Sequence, residues 1–101
     1  MAEVEEMIKK LQSQSGVTGV VVTDQQGRTI KATMDDIEAA KYSNLLTQLC
    51  HKTKTVFKEV DQSNELNFIR VYTNKEEFMI APQKEYTMIV IRELESKPSA
   101  L

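Results

Sequence analysis

The fold is decided by the stretch Val17-Thr-Gly-Val-Val-Val-Thr23, followed by Asp24-Gln-Gln-Gly27 and Thr29-Ile-Lys-Ala-Thr33. The first run is almost entirely β-branched, a composition that favours strands. Asp24 at the first position of a turn and Gly27 at the fourth suit a tight reversal of the chain. The alternating run that follows returns as a partner strand, so the stretch predicts a β-hairpin.

A helix is predicted on each side of this hairpin. Upstream, apolar residues recur at i, i+3, i+4 and i+7, and Ser15-Gly16 supplies a C-terminal stop. Downstream, Asp35 or Asp36 can cap a long helix that runs to about Val60. Its apolar side chains fall on one broad band, and its polar side chains, Thr47 among them, are assigned to the solvated face. The band is wide for one sheet, so we expect part of it to meet a second helix.

Three further strands are predicted after Asn64, over Leu66–Tyr72, Glu77–Ala81 and Tyr86–Ile91. The order α-β-β-α-β-β-β predicts an α+β sandwich of the α/β class, with a five-stranded mixed or antiparallel sheet. The long helix covers one face and the short N-terminal helix the other. We expect one domain over residues 1–93 and a flexible tail over 94–101.

Composition excludes several classes of protein. The 101 residues suit one domain, and the net charge of -2 gives no long-range attraction to nucleic acid or to anionic lipid. Cys50 stands alone, so no internal disulfide is possible, and no apolar run is long enough for a membrane span. The acidic N-terminus is unlike a signal peptide. We therefore expect a cytoplasmic protein that neither binds nucleic acid nor inserts into a membrane.

Residues for catalysis are not grouped in this sequence. The three glycines form no phosphate-binding loop, so no nucleotide cofactor is predicted. The Cys50-His51 pair is too small for a zinc site and points in two directions on a helix. Acidic pairs such as Glu76-Glu77 are expected to be solvated, and Lys52, Lys54 and Lys58 form either a solvated face or a contact for an acidic protein. We predict a protein that is not an enzyme and binds no cofactor or metal.

The run Leu66-Asn-Phe-Ile-Arg-Val-Tyr72 is predicted to be the outer strand of a meander. An apolar edge strand exposed to water promotes aggregation. Pairing with the same strand of a second copy would remove this hazard, give a ten-stranded sheet and place the long helices side by side. The alternative is that a loop or the tail of the same chain covers the edge. The predicted dimer interface comprises Leu66, Phe68, Ile69, Arg70, Val71 and Tyr72 of the strand and Leu45, Leu49, Lys52 and Val56 of the helix.

The sequence resembles the roadblock family of dynein light chains over residues 1 to about 93. The similarity is carried by Gly16–Gly27, by Leu11-Gln-Ser-Gln14, by Ile80-Ala-Pro82, and by Tyr86 followed by Ile89-Val-Ile91. The resemblance implies a homodimeric, non-catalytic light chain whose third strand and second helix form the dimer. It also implies binding to the dynein intermediate chain, and a role in microtubule-based transport in the cytoplasm or the axoneme of a cilium.

The resemblance leaves the partners partly open. Other dynein light chains or cargo adaptors are possible additional partners. Related domains act as scaffolds or regulators of small GTPases, which is the alternative function. We assign partner binding to the sheet face beside the N-terminal helix, with the residues Val4, Met7, Ile8 and Leu11.

Overall fold

The computed structural model describes residues 2–94 of the chain. The elements follow the predicted order. The helices are α1 (Ala2–Gln12) and α2 (Asp36–Val60). The strands are β1 (Val17–Thr23), β2 (Thr29–Ala32), β3 (Ile69–Tyr72), β4 (Glu76–Pro82) and β5 (Thr87–Glu93). Except for Leu94, the tail predicted over residues 94–101 lies outside the described residues.

The strands form one sheet of order β2-β1-β5-β4-β3, in which every neighbouring pair is antiparallel. The predicted five-stranded α+β sandwich is confirmed. The expected sheet is mixed or antiparallel, and the observed one is antiparallel. The last three strands form a meander. As predicted, β3 therefore lies at an edge of the sheet.

The central strands β1 and β5 are covered on both faces, as their unbroken apolar runs predict. Side chains alternate between the two faces, so each strand contributes to two cores. The core on the α2 face contains Val21, Cys50, Ile80, Ile89 and Ile91. The core on the α1 face contains Val4, Ile8, Val20, Val22, Met88 and Val90.

The helix α2 begins at the predicted cap. The Asp35 carboxylate accepts a hydrogen bond of 2.9 Å from the backbone N–H of Glu38. At the other end, the N–H of Asp61 donates to the carbonyl of Phe57. The helix thus spans 25 residues, about 37 Å at 1.5 Å per residue.

The face of α2 that packs on the sheet overlaps the predicted band only in part, at Tyr42, Leu46 and Cys50. Its buried residues are the small side chains Ala39, Ser43, Thr47 and Cys50. The assignment of Thr47 to the solvated face is therefore wrong. Small side chains let the helix approach the β1–β2 turn closely, and a Cβ built on Gly27 would lie 3.6 Å from the Cβ of Thr47. Large apolar residues of the predicted band are left facing outward.

The strand β3 is shorter than predicted. It pairs with β4 from Ile69 to Tyr72, whereas residues 66–68 precede the ladder without being part of it. Leu66 still packs against the core on the α2 face. Leu66 is therefore apolar because it packs in the core, and pairing with β4 starts only at Ile69.

Candidate interaction surface

The outer edge of β3 presents unpaired backbone groups. The adjoining turn closes with a hydrogen bond of 2.8 Å from the N–H of Thr73 to the carbonyl of Glu76. Bonded pairs alternate along an antiparallel ladder, so Val71 and Ile69 bond to β4. The backbone N–H and C=O groups of Arg70 and Tyr72 consequently point away from the sheet. Within residues 2–94, β3 has β4 as its one neighbouring strand.

A stripe of exposed side chains runs along α2 at the same side. Leu45, Leu49 and Val56 are exposed by 55%, 39% and 43%, and Lys52 is also exposed. Their spacing of 4, 3 and 4 residues is that of a coiled-coil seam. We call Leu45, Leu49, Lys52 and Val56 the α2 stripe. Within residues 2–94 this seam faces solvent.

Two contacts show that the α2 stripe faces the β3 side. The Ser43 hydroxyl lies 2.7 Å from the Thr29 hydroxyl on β2. One residue earlier, the Tyr42 ring lies 6.1 Å from the Phe78 ring on β4. Leu45 and Leu49 follow Tyr42 at i+3 and i+7, so they lie on its flank and away from β2. The stripe therefore lies on the side of α2 that is directed toward the free edge of β3.

The α1 face of the sheet is only partly covered. Glu5 of α1 bonds to Lys31 of β2 at 2.9 Å, which directs that flank of the helix toward β2. Met7 lies on the opposite flank and is 41% exposed. Beyond it, β4 and β3 present a strip about 10 Å wide, close to the diameter of one helix. We call this strip the open groove; it is lined by Met7, Phe68, Arg70, Tyr72 and Met79.

A buried carboxylate lies under this strip. Glu77 is 1% exposed, and its carboxylate accepts from Arg92 at 2.6 Å and pairs with Arg70 at 2.8 Å. The hydrogen bond from Arg92 is the largest cause of a lowered pKa at Glu77, with smaller contributions from Tyr72 and Arg70. The expectation that Glu77 is a solvated acid is therefore wrong. Alternation along β4 could have revealed it, because Glu77 shares a face with Met79 and Ala81.

The Cys50-His51 pair is divided as predicted. Cys50 is 2% exposed, whereas His51 lies on the exposed face of α2. Burial raises the pKa of the Cys50 thiol, which disfavours the reactive thiolate. Among residues 2–94, no three His, Cys, Asp or Glu side chains are grouped to hold a metal ion. In the same range no helix is long and apolar enough to cross a membrane.

The model of the Roadblock/LC7 domain family matches residues 3–93. The chain belongs to this family. The match covers every strand and both helices apart from Ala2, the first residue of α1, so the roadblock domain and the observed fold coincide.

Solved structures of low sequence identity share this fold. A Roadblock/LC7 domain from Streptomyces avermitilis has a TM-score of 0.81 at 13% identity, over 91% of this chain and 79% of that one. MglB of Myxococcus xanthus has a TM-score of 0.79 at 12% identity, over 96% and 80%. The gliding protein MglB of Thermus thermophilus has a TM-score of 0.77 at 7% identity, over 91% and 72%. These identities show a common fold and nothing more.

The predicted dimer residues of β3 and the segment before it differ in exposure. Phe68 and Tyr72 are 47% and 57% exposed, and Arg70 is also exposed. Ile69 and Val71 are half-buried beneath α2, where Ile69 joins the core. Leu66 packs against the core on the α2 face, and Phe68, Arg70 and Tyr72 belong to the α1 face. Contact of the ten predicted residues with a second copy stays a prediction.

The four residues assigned to partner binding are not equally accessible. Val4 and Ile8 are 5% and 6% exposed and close the core on the α1 face. Leu11 packs against the same core, and Met7 borders the open groove. The expectation that Val4 and Ile8 face a partner is thereby corrected. A binding role for Met7 stays a prediction.

Proposed function

We propose that this roadblock domain is a homodimeric, non-catalytic light chain of a dynein motor that binds the dynein intermediate chain. The observation that carries the proposal is that the unpaired β3 edge and the exposed α2 stripe lie on the same side of the domain. Residues 1–93 are the functional unit of this proposal, with 94–101 as an appended tail. Its place of action is the cytoplasm, on microtubules or in an axoneme.

A second copy of the chain is the occupant that suits this surface best. An isologous pair would join two β3 edges into one ladder and give a ten-stranded sheet. The same two-fold axis would bring the two α2 stripes together as a helix pair. One operation thus satisfies unpaired backbone groups and covers three large apolar side chains at once. A partner of other chemistry would have to supply both a strand and a helix.

The open groove is the proposed binding site for the intermediate chain. Its width suits one helix, and Met7, Phe68 and Met79 offer apolar contact to an amphipathic segment. Because each copy has one groove, a dimer binds two such segments. The mechanism is bivalent bridging of two intermediate chains, which helps to hold the tail of the motor together. Other light chains or cargo adaptors would use surface that remains free.

The test combines molecular mass with capture of a partner. Sedimentation equilibrium should give twice the chain mass, and an immobilised intermediate-chain fragment should capture the protein. Met7→Glu should abolish capture and leave the mass unchanged, whereas Glu85→Gln, in the turn after β4, should change neither. A folded protein that sediments as a monomer, or a dimer that ignores the fragment, contradicts the proposal.

A second candidate is a scaffold or regulator of a small GTPase with the same fold. It is the alternative that the family resemblance implies, since related roadblock domains act on small GTPases. This candidate predicts affinity for a small GTPase and no activity toward nucleotide alone. Binding assays with a GTPase in both nucleotide states would separate it from the dynein proposal.

A further inference from the structure

Glu77 connects three strands through one carboxylate. It lies on β4, and its neighbours are Arg70 on β3 and Arg92 on β5. The Oε2 atom is 2.8 Å from Nε of Arg70, and the Oε1 atom is 2.6 Å from Nη2 of Arg92. The Glu77 side chain is 2% exposed, whereas that of Arg70 is 51% exposed. A single negative charge therefore restrains two guanidinium groups.

Two contacts of the Arg70 guanidinium, with Glu77 and Met79, direct it toward β4. Nη2 lies 3.9 Å from the sulfur of Met79 on β4, and the group stands 5.7 Å from the centre of the Phe68 ring. Glu77 and Met79 both belong to β4. The guanidinium thus lies over its own sheet and away from the free edge of β3, although its backbone groups point toward that edge.

A second copy at this edge would bring two Arg70 residues close together. In a two-fold antiparallel pair centred on Arg70, the two main chains are about 5.5 Å apart at this residue. If the two-fold axis instead passes through Ile69 or Val71, the two Arg70 residues are offset along the strands, because each residue adds about 3.4 Å. Their main chains are then about 8 Å apart. Both distances are within the screening length of about 8 Å at physiological salt. Like charges facing each other across a ladder are destabilising.

We propose that Glu77 is a positioning residue that determines whether two β3 edges can meet. It offsets part of the positive charge of Arg70 and holds the guanidinium back over β4, so that the like charges of two copies do not face each other. The inference rests on the proposed homodimer and deepens it. Glu77 itself touches no residue of the second copy.

Two double variants of equal charge test this role. Glu77→Gln with Arg92→Gln leaves Arg70 unrestrained at the edge, whereas Glu77→Gln with Arg70→Gln leaves Arg92 in the sheet interior. Both variants lack the buried carboxylate and one arginine. If Glu77 acted only by stabilising the fold, the two variants should therefore dimerise equally well. We expect the first variant to dimerise at least tenfold more weakly than wild type at 50 mM salt and to recover at 500 mM. The second carries no arginine at this edge, so it should dimerise more tightly than the first at 50 mM salt and respond less to added salt.

The measurements are the dimer dissociation constant by sedimentation and the folded fraction by circular dichroism. Equal dissociation constants for the two folded double variants overturn the role of Glu77. If a double variant does not fold, Glu77→Gln alone is measured, and a dimer as tight as wild type at 50 mM salt overturns it equally. The wild type is sedimented first. A monomeric wild type contradicts the proposed homodimer, an outcome distinct from a dimer that is indifferent to Glu77.

Discussion

Thr47 is a polar residue that the helix α2 buries at a cost. Thr47 is only 6% exposed, and within residues 2–94 its hydroxyl has no hydrogen-bond partner. Replacing such a hydroxyl by a methyl group of the same shape removes an uncompensated desolvation cost. We expect Thr47→Val to raise the free energy of unfolding by about 1 kcal/mol. Urea denaturation measures it, with Thr53→Val as control because the Thr53 hydroxyl donates to Leu49 at 2.8 Å.

A gain from Thr47→Val no larger than the effect of Thr53→Val would contradict this account.

The lowered pKa of Glu77 makes stability depend on pH. The hydrogen bond from Arg92 is the main cause, and the ordinary pKa of the carboxyl is 4.5. A carboxyl with a lower pKa in the folded state stabilises that state fully above its unfolded pKa. This contribution is lost as the pH falls through the lowered folded value. We therefore expect the stability difference between wild type and Glu77→Gln to be constant near neutral pH and to shrink below pH 4.5. Denaturation at several pH values measures it, and a difference that grows in acid would be inconsistent with the pairing.

At the scale of elements, the cap of α2 makes a separate contribution to stability. Asp35 accepts a hydrogen bond from the N–H of Glu38, whereas the neighbouring Asp36 has no capping contact within residues 2–94. Losing an N-cap side chain costs about 1 kcal/mol. We expect Asp35→Ala to lower the free energy of unfolding by this amount and Asp36→Ala by only a few tenths. Thermal unfolding of both variants compares them, and equal effects would show that Asp35 is not the operative cap.

The elements differ in how well the sequence predicts them. The runs Val20–Val22 and Met88–Ile91 predict central strands correctly, because apolar residues on both faces require cover on both sides. The start of β3 is predicted three residues early. The apolar side chain of Leu66 packs against the core on the α2 face, but its backbone does not pair with β4. Likewise, the band of α2 predicts burial of its largest side chains. The sheet instead packs against small ones, a choice set by the close approach of the β1–β2 turn.

The candidate surface follows partly from the same reasoning. The excess width of the α2 band already predicts a second contact, and Leu45 and Leu49 are found exposed on the β3 side. The role of Glu77 escapes prediction, since it depends on the register that brings Arg70 of β3 and Arg92 of β5 to one carboxylate. Periodicity identifies the face of one element but not which faces meet.

At the scale of the whole molecule, the stripe offers a cleaner test of assembly than β3. Ile69 and Val71 are half-buried within their own chain, so a charge there would disturb the fold as well as any interface. Leu45 and Leu49 face solvent in a single copy. We expect Leu45→Glu with Leu49→Glu to give a folded monomer, because four carboxylates would otherwise meet in one seam. Light scattering gives the mass, and His51→Glu, on another face of α2, should remain dimeric.

A dimeric Leu45→Glu/Leu49→Glu variant would exclude α2 from the interface.

Bivalent bridging makes a quantitative prediction for this monomeric variant. Each open groove lies on the face of the sheet opposite α2 and contains no residue of the α2 stripe, so binding at one site should be retained. The avidity that comes from two linked sites should be lost, a loss of about 10²- to 10⁴-fold where both sites can be engaged. Biosensor surfaces with sparse and dense intermediate-chain fragments distinguish binding through one site from binding through two. Wild type and variant should bind sparse fragments with similar affinity, and only wild type should dissociate much more slowly from dense ones. Equal dissociation from both surfaces would mean that the dimer does not bridge two chains.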